Sequence, residues 1–220
     1  MTPVEEVLMK RFIPVALFLL LVVTGARAEV LPDALMRSAA DKIARLTETG
    51  PEADARDPQR LYALVDLCEE VLPHIDFRAM ARSALGRHWR EATPEQRARF
   101  AREFRNLLLR VYGTAMPKSA DQQIVFLPFL GKPGDETAVV KTELRRPGRP
   151  SIAIHYSFYN TRSFWKLYDI TVDGVSLVTT YRITYAEAIQ KDGIDAVIAN
   201  LARSNYEFPG SKRSAVKHEQ

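Results

Sequence analysis

Ser151-Ile152-Ala153-Ile154-His155-Tyr156-Ser157-Phe158-Tyr159 sets Ile152, Ile154, Tyr156 and Phe158 at every second position. A period of two is that of a β-strand with one apolar face. Outward from it the same reading repeats. Phe164 to Val172 follows and ends at Asp173-Gly174. Upstream, Glu136 to Arg145 is bounded by the turns Gly134-Asp135 and Pro147-Gly148, and Gln123 to Phe129 is apolar and β-prone. Successive strands joined by short turns predict an antiparallel meander of about four strands.

Before Pro117 the period changes to that of helices. Pro32 to Leu46 puts Leu35, Ala39, Ile43 and Leu46 on one face, and Thr47 to Ala55 reads as a loop. Asp57-Pro58 opens a second helix that carries Leu61, Leu64, Val65, Cys68, Val71 and Leu72 and stops near Pro73. A short helix from Phe77 to Leu85 ends at Gly86. Thr93-Pro94-Glu95-Gln96 combines a capping box with proline in the first turn. The helix it starts has Phe100, Phe104, Leu107, Leu108 and Val111 on one face and an arginine-rich opposite face. Val175 to Gln190 fits a helix or a strand equally, and Asp192 to Ser204 is a last helix. Helices first and a sheet second give an α+β class, in one domain spanning residues 29–208.

Lys10 and Arg11 precede the apolar run Phe12 to Val23, and Ala26-Arg27-Ala28 is a small-x-small cleavage pattern. Residues 1–28 therefore read as a secretory signal peptide, with Met9 an alternative start and an uncleaved anchor the competing reading. Export from the cytoplasm argues against ATP, reducing power and nucleic acid as partners. The leader carries Lys10, Arg11 and Arg27 against Glu5 and Glu6, so its removal lowers the formal charge from +4 to about +3. The single cysteine, Cys68, forbids an internal disulfide and reads as a small buried hydrophobe. The tail from Pro209 to Gln220 is charged and expected to fray.

No catalytic or metal constellation stands out. His74, His88, His155 and His218 lack partners at metal spacing, and no glycine-rich phosphate loop or nucleophile elbow is present. Asp169 and Tyr156 are the candidates for a cavity enzyme of isomerase or hydratase type, although alternation sets His155 opposite Tyr156. The arginines of residues 87–110 are either a solvated helix face or a docking surface for anionic membrane or an acidic protein, the latter suiting a lipid-free adaptor. Bulky apolar residues are the remaining signal. Val140, Leu144, Ile152, Ile154, Tyr156, Phe158, Ile170 and Val172 on the sheet, with Phe100, Phe104, Leu108 and Val111 on the long helix, make either a filled core or a lined pocket.

Leu72-Pro73, Met80-Ala81, Leu85-Gly86, Trp89 and Ala92-Thr93-Pro94-Glu95-Gln96-Arg97, with Phe100, Phe104 and Tyr112, resemble the MlaC (toluene-tolerance) family. So do Trp165-Lys166-Leu167-Tyr168-Asp169-Ile170, Gly174-Val175-Ser176-Leu177-Val178-Thr179-Thr180 and Lys191-Asp192-Gly193-Ile194-Asp195. The resemblance covers Leu72 to Ser204. It implies a twisted antiparallel sheet wrapped by helices around an apolar lipid pocket, and a helix over Gly174 to Gln190. It also implies a non-enzymatic periplasmic carrier, monomeric, with phospholipid held by two acyl chains as cargo rather than a cofactor. The implied partners are an inner-membrane lipid ABC transporter complex and an outer-membrane lipoprotein–porin complex, and the implied outcome is outer-membrane lipid asymmetry. A hopanoid is the alternative cargo. Leu85, Trp89, Tyr112, Trp165 and Tyr168 join the candidate lining on this resemblance. The hairpin at Asn160 to Ser163 is short for the family.

Overall fold

A computed structural model describes residues 30–48, 58–112, 122–161 and 164–206. The expected leader, the loop after residue 48, the Asp57 cap and the charged tail lie outside the described residues. The N-terminal half contains α1 (Pro32–Glu48), α2 (Pro58–Val71), α3 (Phe77–Leu85), the single turn α4 (His88–Glu91) and α5 (Pro94–Tyr112). The sheet follows, with β1 (Gln123–Phe126), β2 (Thr137–Arg146), β3 (Arg149–Asn160), β4 (Trp165–Val172) and β5 (Val175–Ser176). Helices α6 (Leu177–Asp192) and α7 (Ile194–Tyr206) close the described chain. None of the described helices is long and apolar enough to cross a membrane.

The sheet is an antiparallel meander in the order β1-β2-β3-β4-β5, one strand more than the sequence predicts. The extra strand is two residues long, below the length at which periodicity is readable. It exists because Asp173 (φ 46°) and Gly174 (φ 84°) both take positive φ, the requirement of a tight two-residue hairpin. Asp173 fastens that turn to β3, its carboxylate accepting from the Ala153 N–H at 2.9 Å. β5 pairs with one end of β4, and Ile75 bridges to Leu167 at the other. Because β3 occupies the opposite side of β4 along its length, both short pieces cover the edge that would otherwise be open.

The ambiguous stretch after Gly174 resolves through a cap. The Ser176 hydroxyl accepts from the Thr179 N–H at 3.1 Å and donates to Asp169 Oδ2 at 2.6 Å. Asp169 Oδ1 also accepts from the N–H groups of Ile170 (2.8 Å) and Val178 (3.2 Å). One carboxylate thus ties the strand to the start of α6, satisfying N–H groups that a helix end leaves over. The Thr93–Gln96 capping box forms as read, with Thr93 N–H to Gln96 Oε1 at 2.9 Å and Gln96 N–H to Thr93 Oγ1 at 3.2 Å. Asp76 caps α3 through the Ala79 N–H at 2.8 Å.

Two apolar clusters dominate. One lies among helices and contains Met80 and Leu85 of α3, Trp89 of α4, Phe100, Phe104 and Leu108 of α5, Tyr185 of α6 and Ile198 of α7. The other lies on the sheet and contains Val140, Phe158, Trp165 and Leu167, with Leu35 and Met36 of α1 laid against them. A small third cluster, Ala39 against Leu67, joins α1 to α2. Around it the Lys42 ammonium contacts Glu70 and Asp66, and the Ser38 hydroxyl donates to Glu70 at 2.7 Å. Cys68 is exposed, not buried as the sequence suggests. The inward residue of α2 is Leu67, and the next position lies about 100° round the helix, which carries the thiol to the surface.

Candidate functional site

The sheet register assembles one apolar face. Tyr156 stands opposite Val140 on one side and Ile170 on the other, and Ile154 stands between Thr142 and Val172. Ile152 faces Leu144, which faces Ile124 of β1. A β-bulge between Ser157 and Phe158 shifts the pairing of β4, so that Phe158 meets Leu167 and Asn160 meets Trp165. Val140, Ile152, Ile154, Tyr156, Phe158, Ile170 and Val172 therefore share this face, as the alternation predicts, and the bulge brings Trp165 onto it.

Burial along the face is graded. Val140, Thr142, Phe158 and Trp165 are at most 2 % exposed, and α1 covers this part through Leu35 and Met36. Ile152, Ile154, Tyr156 and Ile170 are half-buried, and Val172 is 41 % exposed. Arg37 of α1 lies 4.4 Å from the centre of the Phe126 ring, at the β1 edge of the face. Polar atoms in the face are few. The Thr142 hydroxyl donates to the Ile154 carbonyl at 3.1 Å. Burial pushes the Tyr156 phenol above its ordinary range, so it stays neutral at physiological pH.

The long helix is not part of this surface. Phe100 and Phe104, both fully buried, stack on each other at 5.6 Å between centroids. Tyr185 meets Phe100 edge-on at 5.1 Å, and Tyr181 meets Phe104 in the same way at the same distance. α5 packs on α3 and α7, so Leu85, Phe100, Phe104 and Leu108 belong to the helical cluster rather than to this face, as does Trp89, which borders Thr137, Tyr159 and Tyr168 on the opposite face of the sheet. The expectation of one hollow between sheet and long helix is corrected accordingly. The period of 3.6 gives a helix its buried face but not the identity of what it meets. Val111 is 40 % exposed at the end of α5, and the side chain of Tyr112 lies outside the described residues. Tyr168 is the bulged residue. It falls out of the alternation and onto the opposite sheet face, where its ring centre is 6.0 Å from that of Tyr159. Leu35, Met36, Ile75, Phe126 and Leu167 join the apolar face without having been singled out as lining. Their own periodicity was the available signal, and only tertiary contact assigns the partner.

The candidates for catalysis do not converge. Asp169 pairs with Ser157, one position off Tyr156, so the two side chains project from opposite faces of the sheet. Asp169 spends both oxygens on the α6 cap. No group of three or more metal-ligating side chains occurs among the described residues. The arrangement offers a partly open apolar surface bearing two neutral hydroxyls, chemistry that can hold apolar groups.

The MlaC protein family matches residues 37–203 of this chain. The "Intermembrane phospholipid transport system binding protein MlaC" of Haemophilus influenzae is 25 % identical over 203 residues, covering 89 % of this chain and 94 % of that protein. The "Toluene tolerance protein ttg2D" of Pseudomonas putida is 26 % identical over 163 residues, covering 70 % and 75 %. Among solved structures, a phospholipid-binding protein from Ralstonia solanacearum, in complex with a phospholipid, superposes with a TM-score of 0.65 at 28 % identity. That match covers 80 % of this chain and 97 % of the other. An α+β fold with an open five-stranded antiparallel sheet, matched over three quarters of its length by one family, places this chain in the MlaC family.

Proposed function

We propose that this chain is a periplasmic phospholipid carrier whose cargo lies with both acyl tails against the apolar sheet face. The observation that carries the reading is the gradient of burial on that face. Large aliphatic and aromatic side chains continue past the cover of α1, from the enclosed Val140 and Phe158 to the half-buried Ile154, Tyr156 and Ile170 and the exposed Val172. A diacyl lipid brings about 30 methylenes, and keeping them from water is worth on the order of 20 kcal/mol or more. A carrier must therefore offer continuous apolar contact. Exchange from a bilayer to such a face is apolar to apolar, so its net free energy is small and release remains possible. The family membership and the phospholipid-bound structural relative support the same reading.

Carriage between an outer-membrane lipoprotein–porin complex and an inner-membrane ABC transporter, serving outer-membrane lipid asymmetry, is the process that suits a monomeric carrier of this kind. The Haemophilus relative, by its name the binding protein of an intermembrane phospholipid transport system, supports it. The lining set is proposed as Val140, Ile152, Ile154, Tyr156, Ile170 and Val172, with Phe158 and Trp165 as its floor. The helical residues Leu85, Trp89, Phe100, Phe104 and Leu108 act as scaffold. The test is native mass spectrometry of the purified protein, then delipidation and incubation with phospholipid vesicles. Extra mass equal to a phospholipid, lost and regained, is expected. Protein that carries no lipid and acquires none refutes the reading, and a sterol-like mass reassigns the cargo.

A further inference from the structure

The opposite face of the sheet has its own recess. Where Thr137, Tyr159 and Tyr168 meet Arg78, Arg82 and Ser83 of α3, a concavity of about 570 Å³ opens to solvent. A second, of about 670 Å³, adjoins it. The two share Arg82, Ser83 and Trp89, and the second adds Arg87, Arg90 and Arg182. Gly86 lies at the junction. It takes φ 56°, a conformation that L side chains rarely adopt, and a Cβ there would lie 3.0 Å from Arg182 Cδ, so Arg182 of α6 would have to shift to make room.

Charge around these recesses is strongly unbalanced. Five exposed guanidiniums, those of Arg78, Arg82, Arg87, Arg90 and Arg182, face one carboxylate, Asp76. Asp76 is already engaged on both oxygens, by the Ala79 N–H at 2.8 Å and by the Tyr159 hydroxyl at 2.5 Å. Among the described residues, none of the five forms an ion pair with a carboxylate. Concave walls focus such a field, and the volume is that of a small-molecule site. Trp89 is the aromatic wall common to both recesses. Arg97 anchors it, donating to its carbonyl at 2.7 Å, while Arg78 lies 5.7 Å from its ring centre.

We propose that this double recess binds the phosphate group of an organic phosphate ester, at a site separate from the apolar sheet face. A phosphate ester brings up to nearly two negative charges and three acceptor oxygens. Guanidinium forks pair with those oxygens two at a time, and the Ser83, Thr137 and Tyr168 hydroxyls lie in the same walls to take the remainder. Trp89 and Tyr168 receive the organic part. A single carboxylate supplies half the charge and fewer acceptors than a phosphate monoester, and a folded acidic protein surface is convex where the recess is concave. The phosphate source is either a lipid headgroup in a bilayer, a diester that brings one charge and two free oxygens, or a free monoester, and guanidinium pairing to the phosphate oxygens is common to both. The proposal stands apart from the carrier reading, because the two sites lie on opposite faces of the sheet.

Trp89 supplies the readout. The chain has two tryptophans, and the other, Trp165, is 1 % exposed on the far face. Lipid-loaded protein is titrated with glycerol 3-phosphate, with phosphatidylglycerol vesicles and with phosphatidylcholine vesicles while tryptophan emission is followed. A saturable change with glycerol 3-phosphate assigns a free ester. A change with phosphatidylglycerol vesicles alone assigns a headgroup. In either case Arg78→Gln and Arg82→Gln each weaken binding about tenfold or more, Arg82→Lys weakens it less, and Arg99→Gln leaves it unchanged. Ile154→Asp leaves this titration unchanged while it removes cargo, which separates the two sites. No response to any phosphate, a response that survives the Arg78→Gln/Arg82→Gln pair, or a response to polyglutamate alone overturns the proposal.

Discussion

Replacing Ile154 with aspartate tests whether the sheet face holds hydrocarbon. Without cargo the position is half-buried, and its cross-strand neighbour Val172 is 41 % exposed, so water reaches the new carboxylate. The fold then loses only part of the transfer free energy of an isoleucine side chain, about 1 kcal/mol where full burial is worth roughly 1.5–3 kcal/mol. With a tail lying on it, the carboxylate cannot remain charged and takes up a proton instead. From an ordinary aspartate pKa near 4, protonation at pH 7 crosses about three pH units at 1.36 kcal/mol each, about 4 kcal/mol in all. Tail binding weakens by about a thousandfold while the fold barely changes. Near pH 4 the same group protonates without that cost, and cargo returns.

The assay pairs native mass spectrometry at pH 7 and pH 4 with urea unfolding, and uses Phe158→Ala as reference. Phe158 is 1 % exposed and has no route to water, so its truncation costs about 3–5 kcal/mol of stability. If Ile154→Asp is as destabilising as Phe158→Ala, the region around Ile154 is packed protein and the reasoning fails. Full lipid occupancy in Ile154→Asp at pH 7 refutes it equally.

Phe104→Ala opens a void between Phe100, Tyr181 and Tyr185, so urea unfolding records a loss of about 3–5 kcal/mol. Lipid per folded molecule stays unchanged, because the helical cluster does not line the face. Ser176→Ala deletes the α6 cap and the donor to Asp169 Oδ2, lowering stability by about 1–2 kcal/mol by the same measurement. The α1–α2 clasp is acid-sensitive. The Lys42 ammonium, then the Ser38 hydroxyl, hold the Glu70 carboxyl below its ordinary value. A folded pKa below the unfolded one stabilises fully above the ordinary glutamate range, and that contribution disappears as pH falls through the range to the depressed value. The Lys42 side is lost only above the ordinary lysine range, because its pKa is raised. Hydrogen exchange in α1 should therefore accelerate, relative to the rest of the domain, as pH falls below about 4.5. Glu70→Gln should abolish that dependence.

The contrast between Ile154 and Phe104 shows which parts of this molecule its sequence makes legible. Both belong to regular apolar patterns, of period two and of helical spacing, and both patterns identify their element correctly. A strand hands its alternation to its neighbours through the register, so one strand read correctly orders a whole face: Ile154, Val172 and Thr142 follow from each other. A helix has no such rule. Phe104 turns inward, but whether toward a sheet or toward Tyr181 depends on contacts between residues about 77 positions apart, for which periodicity carries no information. The same limit explains Tyr168 and Cys68. A bulge moves the tyrosine to the other face, and one step round a helix takes the cysteine to solvent. The arginines were visible as a run over residues 87–110, yet the recess gathers only Arg87 and Arg90 from it and adds Arg78, Arg82 and Arg182. Three of those five come from outside the run, and what unites them is the packing of α6 on α3 beside Gly86. An apolar face is thus written along the chain, whereas a cluster of charges assembled by helix packing is written only in the fold.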